Sequence, residues 1–225
     1  MALIKAKVRQ SSADRVAEGT DTYVRALRDG SLTFADFLMA MSLEGRCFQA
    51  LAGTFTAPVT FTAGAIVATT PSYAMTIPSG TTIIPLEMSV QIESIGTALI
   101  MEILATAGQG GSVSTAGTAI TPSNIRSDSP MGTACVCTHT AITAVAPTTN
   151  YQEIWRTGEI SALDQTHSAT VSVYDHAHTY TWRAKASGAY PVLVGPSILT
   201  FDISTQAGTG FFQIKWAELP STAVV

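Results

Sequence analysis

The sequence predicts a mainly β protein: an antiparallel sandwich of the jelly-roll kind, carrying a short helical N-terminal arm. Three observations lead there. After Thr54 the apolar residues recur at every second position, as on a pleated strand with one buried face. Clusters of Gly, Pro, Ser and Thr interrupt that alternation at short intervals, and no helical stretch of ten or more residues lies between them to act as a crossover. Charge also shifts along the chain, because seven of the twelve basic residues and six of the sixteen acidic ones fall before residue 50. The shift places a boundary near Leu51 to Thr54, between an arm of residues 1–52 and a sandwich of residues 53–225.

The arm reads as helical. Thr33 is placed to cap a helix whose third residue, Asp36, favours the positive N-terminal end. Phe34, Phe37, Leu38 and Met41 then share one face. Ser11 with Asp14, and Thr20 with Tyr23, Val24 and Leu27, suggest two shorter pieces broken at Gly19 and Gly30. A short helix with four large apolar residues depends on packing them, either on its own sandwich or on a neighbouring subunit. Lys5, Lys7 and Arg9 alternate as in an extended tail. Three charges are too thin a footprint for specific nucleic-acid recognition, so a solvated tail is the stronger reading.

The best strand runs from Thr81 to Glu93. Ile84, Leu86, Met88, Val90 and Ile92 fall on one face, and Glu87, Ser89, Gln91 and Glu93 on the other. Pro85 is tolerable there at an edge or a bulge. Further strands are expected over Thr54 to Phe61, Ala65 to Thr69, Ala98 to Ala105, Thr133 to Thr143, Tyr151 to Thr157 and Ala169 to Asp175. Four more are expected over Thr179 to Lys185, Val192 to Gly195, Ile198 to Ser204 and Phe211 to Glu218. An immunoglobulin-type sandwich is disfavoured by the length and by the missing Cys–Trp–Cys arrangement. No internal repeat supports a propeller or solenoid.

Composition narrows the function. Hydrophobic residues make up 46% of the chain and charged ones 12%, about half the usual charged share of roughly 25%. Much of the surface must therefore be Thr, Ser, Ala and Gly, which suits extensive subunit packing because few charges need desolvating. No run of 18 apolar residues offers a membrane span. The first ten residues lack the hydrophobic run of a secretory signal. Cys47, Cys135 and Cys137 are too few for a disulfide scaffold, so a reducing cytoplasm is the expected place of assembly.

The only grouping with metal-ligand residue types is Cys135, Cys137 and His139, with His176 and His178 as distant additions. On a strand the three share a face at spacings of about 6.6 Å, wide for a tetrahedral site. Cys135 and Cys137 therefore read as small packed residues, and no metal is expected. Asp175, His176 and His178 read as turn residues. Glu87 and Glu93 lie about 20 Å apart along an extended chain, too far for paired-carboxylate catalysis. The glycines at 108, 110 and 111 lack the Lys and helix of a phosphate loop. Trp155, Tyr180, Trp182, Phe201, Phe212 and Trp216 fall within strands and read as core. No catalytic residue, cofactor or small-molecule substrate is expected.

Residues Gly53 to Pro220 resemble bacteriophage virion structural proteins. Three stretches carry the resemblance: Ile77-Pro78-Ser79-Gly80-Thr81, Thr121-Pro122-Ser123-Asn124-Ile125-Arg126-Ser127-Asp128, and Gly208-Thr209-Gly210-Phe211-Phe212 running on to Trp216-Ala217-Glu218-Leu219-Pro220. The resemblance implies a capsid shell or decoration protein of the jelly-roll class. Its partners would be copies of itself and other virion proteins, its place the virion, and none of its residues a catalytic site. The alternatives are a carbohydrate-binding or adhesin-like sandwich, which should concentrate aromatics in loops, and a small metalloenzyme using the Cys/His cluster.

Overall fold

The computed structural model describes residues 36–54, 56–62, 64–94, 100–113, 116–147, 149–160, 178–204 and 208–223. Helix α1 (Phe37–Leu43) leads into β1 (Cys47–Ala52), β2 (Val59–Thr60), β3 (Tyr73–Ile77), β4 (Thr81–Ser94) and β5 (Ile100–Gln109). The short strands β6 (Ser112–Val113), β7 (Thr118–Ile120), β8 (Ser123–Asn124), β9 (Val136–His139) and β10 (Ala144–Val145) follow. Then come β11 (Thr149–Ile160), β12 (His178–Arg183), the single turn α2 (Ala184–Ser187), β13 (Leu193–Val194), β14 (Ser197–Ser204) and β15 (Thr209–Pro220).

Two antiparallel sheets pack face to face as a β-sandwich. The seven-stranded sheet has the order β12-β4-β15-β1-β8, with β13 on β4 and β2 on β15. The six-stranded sheet has the order β11-β5-β14-β3-β9-β7, and β10 with β6 forms a separate ribbon. Alternate residues of both sheets make one core, including Phe48, Tyr73, Met75, Met88, Val90, Ile103, Phe201, Phe212 and Trp216. Phe201 of one sheet stacks on Phe212 of the other, with centroids 4.1 Å apart.

Several expectations need correction. Residues 47–52, assigned to the helical arm, form β1 and pair with β15 from Cys47↔Ala217 to Ala52↔Phe212. Phe48, Ala50 and Ala52 enter the core at two-residue spacing; alanine's high helix propensity hides a strand whose stability comes from tertiary packing. Helix α1 begins at Phe37 with Asp36 as its N-cap, later than a Thr33 cap would start it. Thr33, Phe34 and the proposed pieces before them lie outside the described residues.

The long alternation of β4 also changes face partway. The β15 partners step from Lys215↔Glu87 to Trp216↔Pro85, leaving Leu86 as an extra residue. This bulge next to Pro85 puts Met88, Val90 and Ile92 into the core but turns Ile84 and Leu86 outward, beneath α1. Strand Thr54 to Phe61 shrinks to β2 and a bridge between Thr54 and Ala57. Residues 65–69 form no strand: they follow the outside of the six-stranded sheet, where Thr69 O accepts from Ala144 N–H at 2.9 Å. The expected strand Ala169 to Asp175 lies outside the described residues. Strand β3 had no sequence signal, because four of its five residues are buried and no alternation shows.

Candidate functional site

Cys135 and Cys137 point into the core from the edge of β9, where Cys137 pairs with Met75 and His139 with Tyr73. Both thiols are free and buried. Burial pushes the Cys137 thiol up to about 12, and burial together with the nearby Glu218 charge raises that of Cys135. Neutral thiols of this kind are poor nucleophiles and poor metal ligands. His139 turns aside, its Nδ1 lying 2.8 Å from the Thr140 hydroxyl, and burial lowers its pKa. Glu218, from β15, closes this end of the sandwich: its carboxylate accepts from the Thr133 hydroxyl and from Ala134 N–H at 3.0 Å. Among the described residues no group of three or more His, Cys, Asp or Glu could hold a metal ion. Asp175 and His176 lie outside those residues, and His178 opens β12 opposite Ile92.

The outward face of the six-stranded sheet is covered over β3 and β14, while Glu102 of β5 and Arg156 of β11 stay exposed. Ala74 and Ile198 pack there against Ile142 and Ala144. Thr62 N–H donates to Ser72 Oγ at 3.2 Å, and Thr140 N–H ties segment 139–144 to segment 60–72 at Ser72 O, 3.3 Å away. Polar groups beneath this layer need internal partners. The hydroxyls of Thr106 and Thr200 meet at 2.8 Å. Asp202 is 5% exposed, and its carboxylate accepts from Ser72 N–H. Burial outweighs that bond and pushes the carboxyl up to about 7.

The outward face of the seven-stranded sheet stays open over most of its length. Glu87 binds both Lys215 Nζ and Arg183 Nε at 2.8 Å. Beyond them a shallow depression is lined by Leu51, Ser89, Gln91, Thr179, Phe211 and Gln213. Its walls carry no charge and no titratable side chain. They offer hydrogen-bonding amides and hydroxyls, and no acid, base or nucleophile set against another.

At the other end of that face lies α1. Met41 is buried against Cys47, Ala217 and Leu219, with Ile84 and Leu86 beside them. Leu38 is half-buried, while Phe37 is 52% exposed. The helix is nonetheless apolar on its far side too: Met39 and Leu43, one turn apart, are 58% and 60% exposed. Only Ser42 interrupts Phe-Leu-Met-Ala-Met-Ser-Leu.

The loop after β7 grips the end of this helix. Arg126 Nη1 donates to the Leu43 carbonyl at 2.7 Å while its Nε and Nη2 bind both oxygens of Asp128. A guanidinium on one of the helix's last carbonyls supplies a partner the helix cannot. Asn124 Nδ2 donates to Gly45 O at 2.6 Å and to Met131 O at 3.2 Å, and its Oδ1 accepts from Arg126 N–H. Gly45 has φ +72, and a Cβ there would collide with the Ser129 hydroxyl, so only glycine fits the clasp.

Sequence reasoning singled out Asn124, Arg126 and Asp128 only as part of a resemblance, and missed Met39, Leu43 and Asp202. The signal for the first two was available: a heptapeptide apolar all round leaves a second face to cover. Asp202 sits in a run, Ile198 to Ile203, whose only other polar residue is Thr200, and an acid in such a run marks burial on both faces. No protein-family model matches the chain, and no match was found among curated proteins.

Proposed function

We propose that the chain is a structural subunit of a virus particle, a shell protein of the jelly-roll class that assembles with copies of itself in the host cytoplasm. The observation that carries this reading is α1: anchored to its own sandwich by Met41, it turns Met39 and Leu43 outward. A helix apolar on every side is ordinarily a buried one, and assembly buries the second face. The resemblance of the Thr121 to Asp128 stretch to virion proteins supports it, since that loop is the clasp holding α1 in place. The sparse charge of the chain favours subunit packing as well.

The metalloenzyme reading finds little support in thiols that are buried and neutral. Among the described residues the carbohydrate-binding reading has two exposed tyrosines, Tyr151 and Tyr190, on separate segments. Light scattering and negative-stain imaging of the purified full chain test the proposal. Particles of many copies are the expected result. A chain that stays monomeric at all accessible concentrations overturns it.

A further inference from the structure

We infer that the outward side of α1 and the loop clasped to it form a two-fold contact between copies of this chain, an inference that rests on the self-assembly reading above. Five of the ten large apolar side chains exposed among the described residues lie on these two segments: Phe37, Met39 and Leu43 on α1, Ile125 and Met131 on the loop. The segments are one surface because Arg126 and Asn124 tie them at Leu43 O, Gly45 O and Met131 O. A half-exposed side chain of this size leaves on the order of 100 Å² uncovered, so the five together come to roughly 500 Å², the size of the largest patch on a monomer, which is often functional.

The charges around the patch select the occupant. Arg126 is paired with Asp128 and Arg46 with Glu44, at 2.7 and 3.3 Å. Among the described residues, a nucleic acid, an anionic membrane or an acidic peptide would find no unpaired cation there to read. A second copy of the same patch brings apolar surface against apolar surface, with Arg126 and Arg46 already neutralised by Asp128 and Glu44. Such a contact is isologous, so a residue near the axis meets its own counterpart. The clasp also fixes the helix end before association, which lowers the ordering cost of binding.

Full-length chains carrying Leu43→Asp and Leu43→Lys test this by sedimentation velocity. Each variant alone should associate at least about tenfold more weakly, since like charges then face each other across the axis. Their melting temperatures should match the parent's, because Leu43 is 60% exposed and Met41 still anchors the helix. An equimolar mixture of the two should recover association. Ile125→Asp, on the loop, should repeat the loss without touching the helix. If the parent assembles and both Leu43→Asp and Ile125→Asp assemble equally well, the patch inference is overturned while the shell reading stands. Loss in each variant without recovery in the mixture overturns the two-fold arrangement. A parent that forms only dimers, broken by Leu43→Asp, supports the patch and overturns the shell. A parent that is monomeric throughout overturns both.

Discussion

Strands β14 and β15 lie against the same core from opposite sheets, yet their outward faces differ. In β15 buried and half-buried residues alternate, because its outward side chains, Phe211, Gln213 and Lys215, belong to an open surface. In β14 every residue from Ser197 to Ile203 is buried, because Ile142 and Ala144 pack on its outward side at Ile198 and the Ser72 backbone reaches Asp202. The difference shows that a strand's sequence pattern records what covers it as well as where its core lies. A strand covered on both faces loses its alternation. Its polar groups then have only internal partners to find: Thr200 pairs with Thr106, whereas the Ser197 hydroxyl is buried without a partner.

The largest expected effect tests what the two strands share. Phe212 of β15 is 1% exposed and packs on Phe201 at 4.1 Å and on Tyr73 at 4.6 Å, both from the opposite sheet. Phe212→Ala should lower unfolding stability by about 3 to 5 kcal/mol in guanidinium titrations, since the cavity sits where the sheets meet. A loss near 1 kcal/mol would mean that the sheets do not share this core.

Asp202 gives the next largest effect and is confined to the covered face. Its folded pKa is raised from 3.8 to about 7 by burial, so the folded chain holds a proton that the unfolded chain has released between those values. Its contribution is therefore fully present below about pH 4 and is lost as pH rises towards 7. At about 1.4 kcal/mol per unit, the loss is at most about 4 kcal/mol. Asp202→Asn keeps an acceptor for Ser72 N–H and removes the titration. It should be more stable than the parent at pH 8 and similar to it at pH 4. Parallel stability curves for the two proteins from pH 4 to 8 would refute the assignment.

The same contrast explains what could be read in the sequence. Sheets with one open face announce themselves by period two, and the expected strands at Thr81 to Glu93 and Phe211 to Glu218 correspond to β4 and β15. The cores of these strands were legible at Met88, Val90 and Ile92 of β4 and at Phe212 and Trp216 of β15. Strand β3 was not, because covering both faces erases the period. The face change in β4 was hidden because one bulged residue at Leu86 reverses parity while the apolar spacing continues unbroken. The outward face of α1 was hidden by treating four apolar residues as one stripe, although Met39 and Leu43 complete the circle.

The smallest effect belongs to the open face and should have the opposite pH sign. Glu87 is held below the usual carboxylate range by hydrogen bonds from Lys215 first and Arg183 second. Its contribution is present at neutral pH and fades as acid protonates it, through the region below its ordinary value of 4.5. The magnitude is limited by solvent: Arg183 is 64% exposed and Lys215 34%, and pairs of this kind contribute about 0.2 to 1 kcal/mol. Lys215→Met removes one partner while keeping the aliphatic stem on the sheet. It should cost less than about 1 kcal/mol in low salt, and the cost should shrink towards zero near 1 M salt, where the screening length falls to about 3 Å. Asp202→Asn, under its cover, should show the same stabilisation at pH 8 in both salts, because no mobile ion reaches the carboxylate. A Lys215→Met cost that persists in high salt would place Glu87 in an environment as dry as that of Asp202, and the distinction between the two faces would fail.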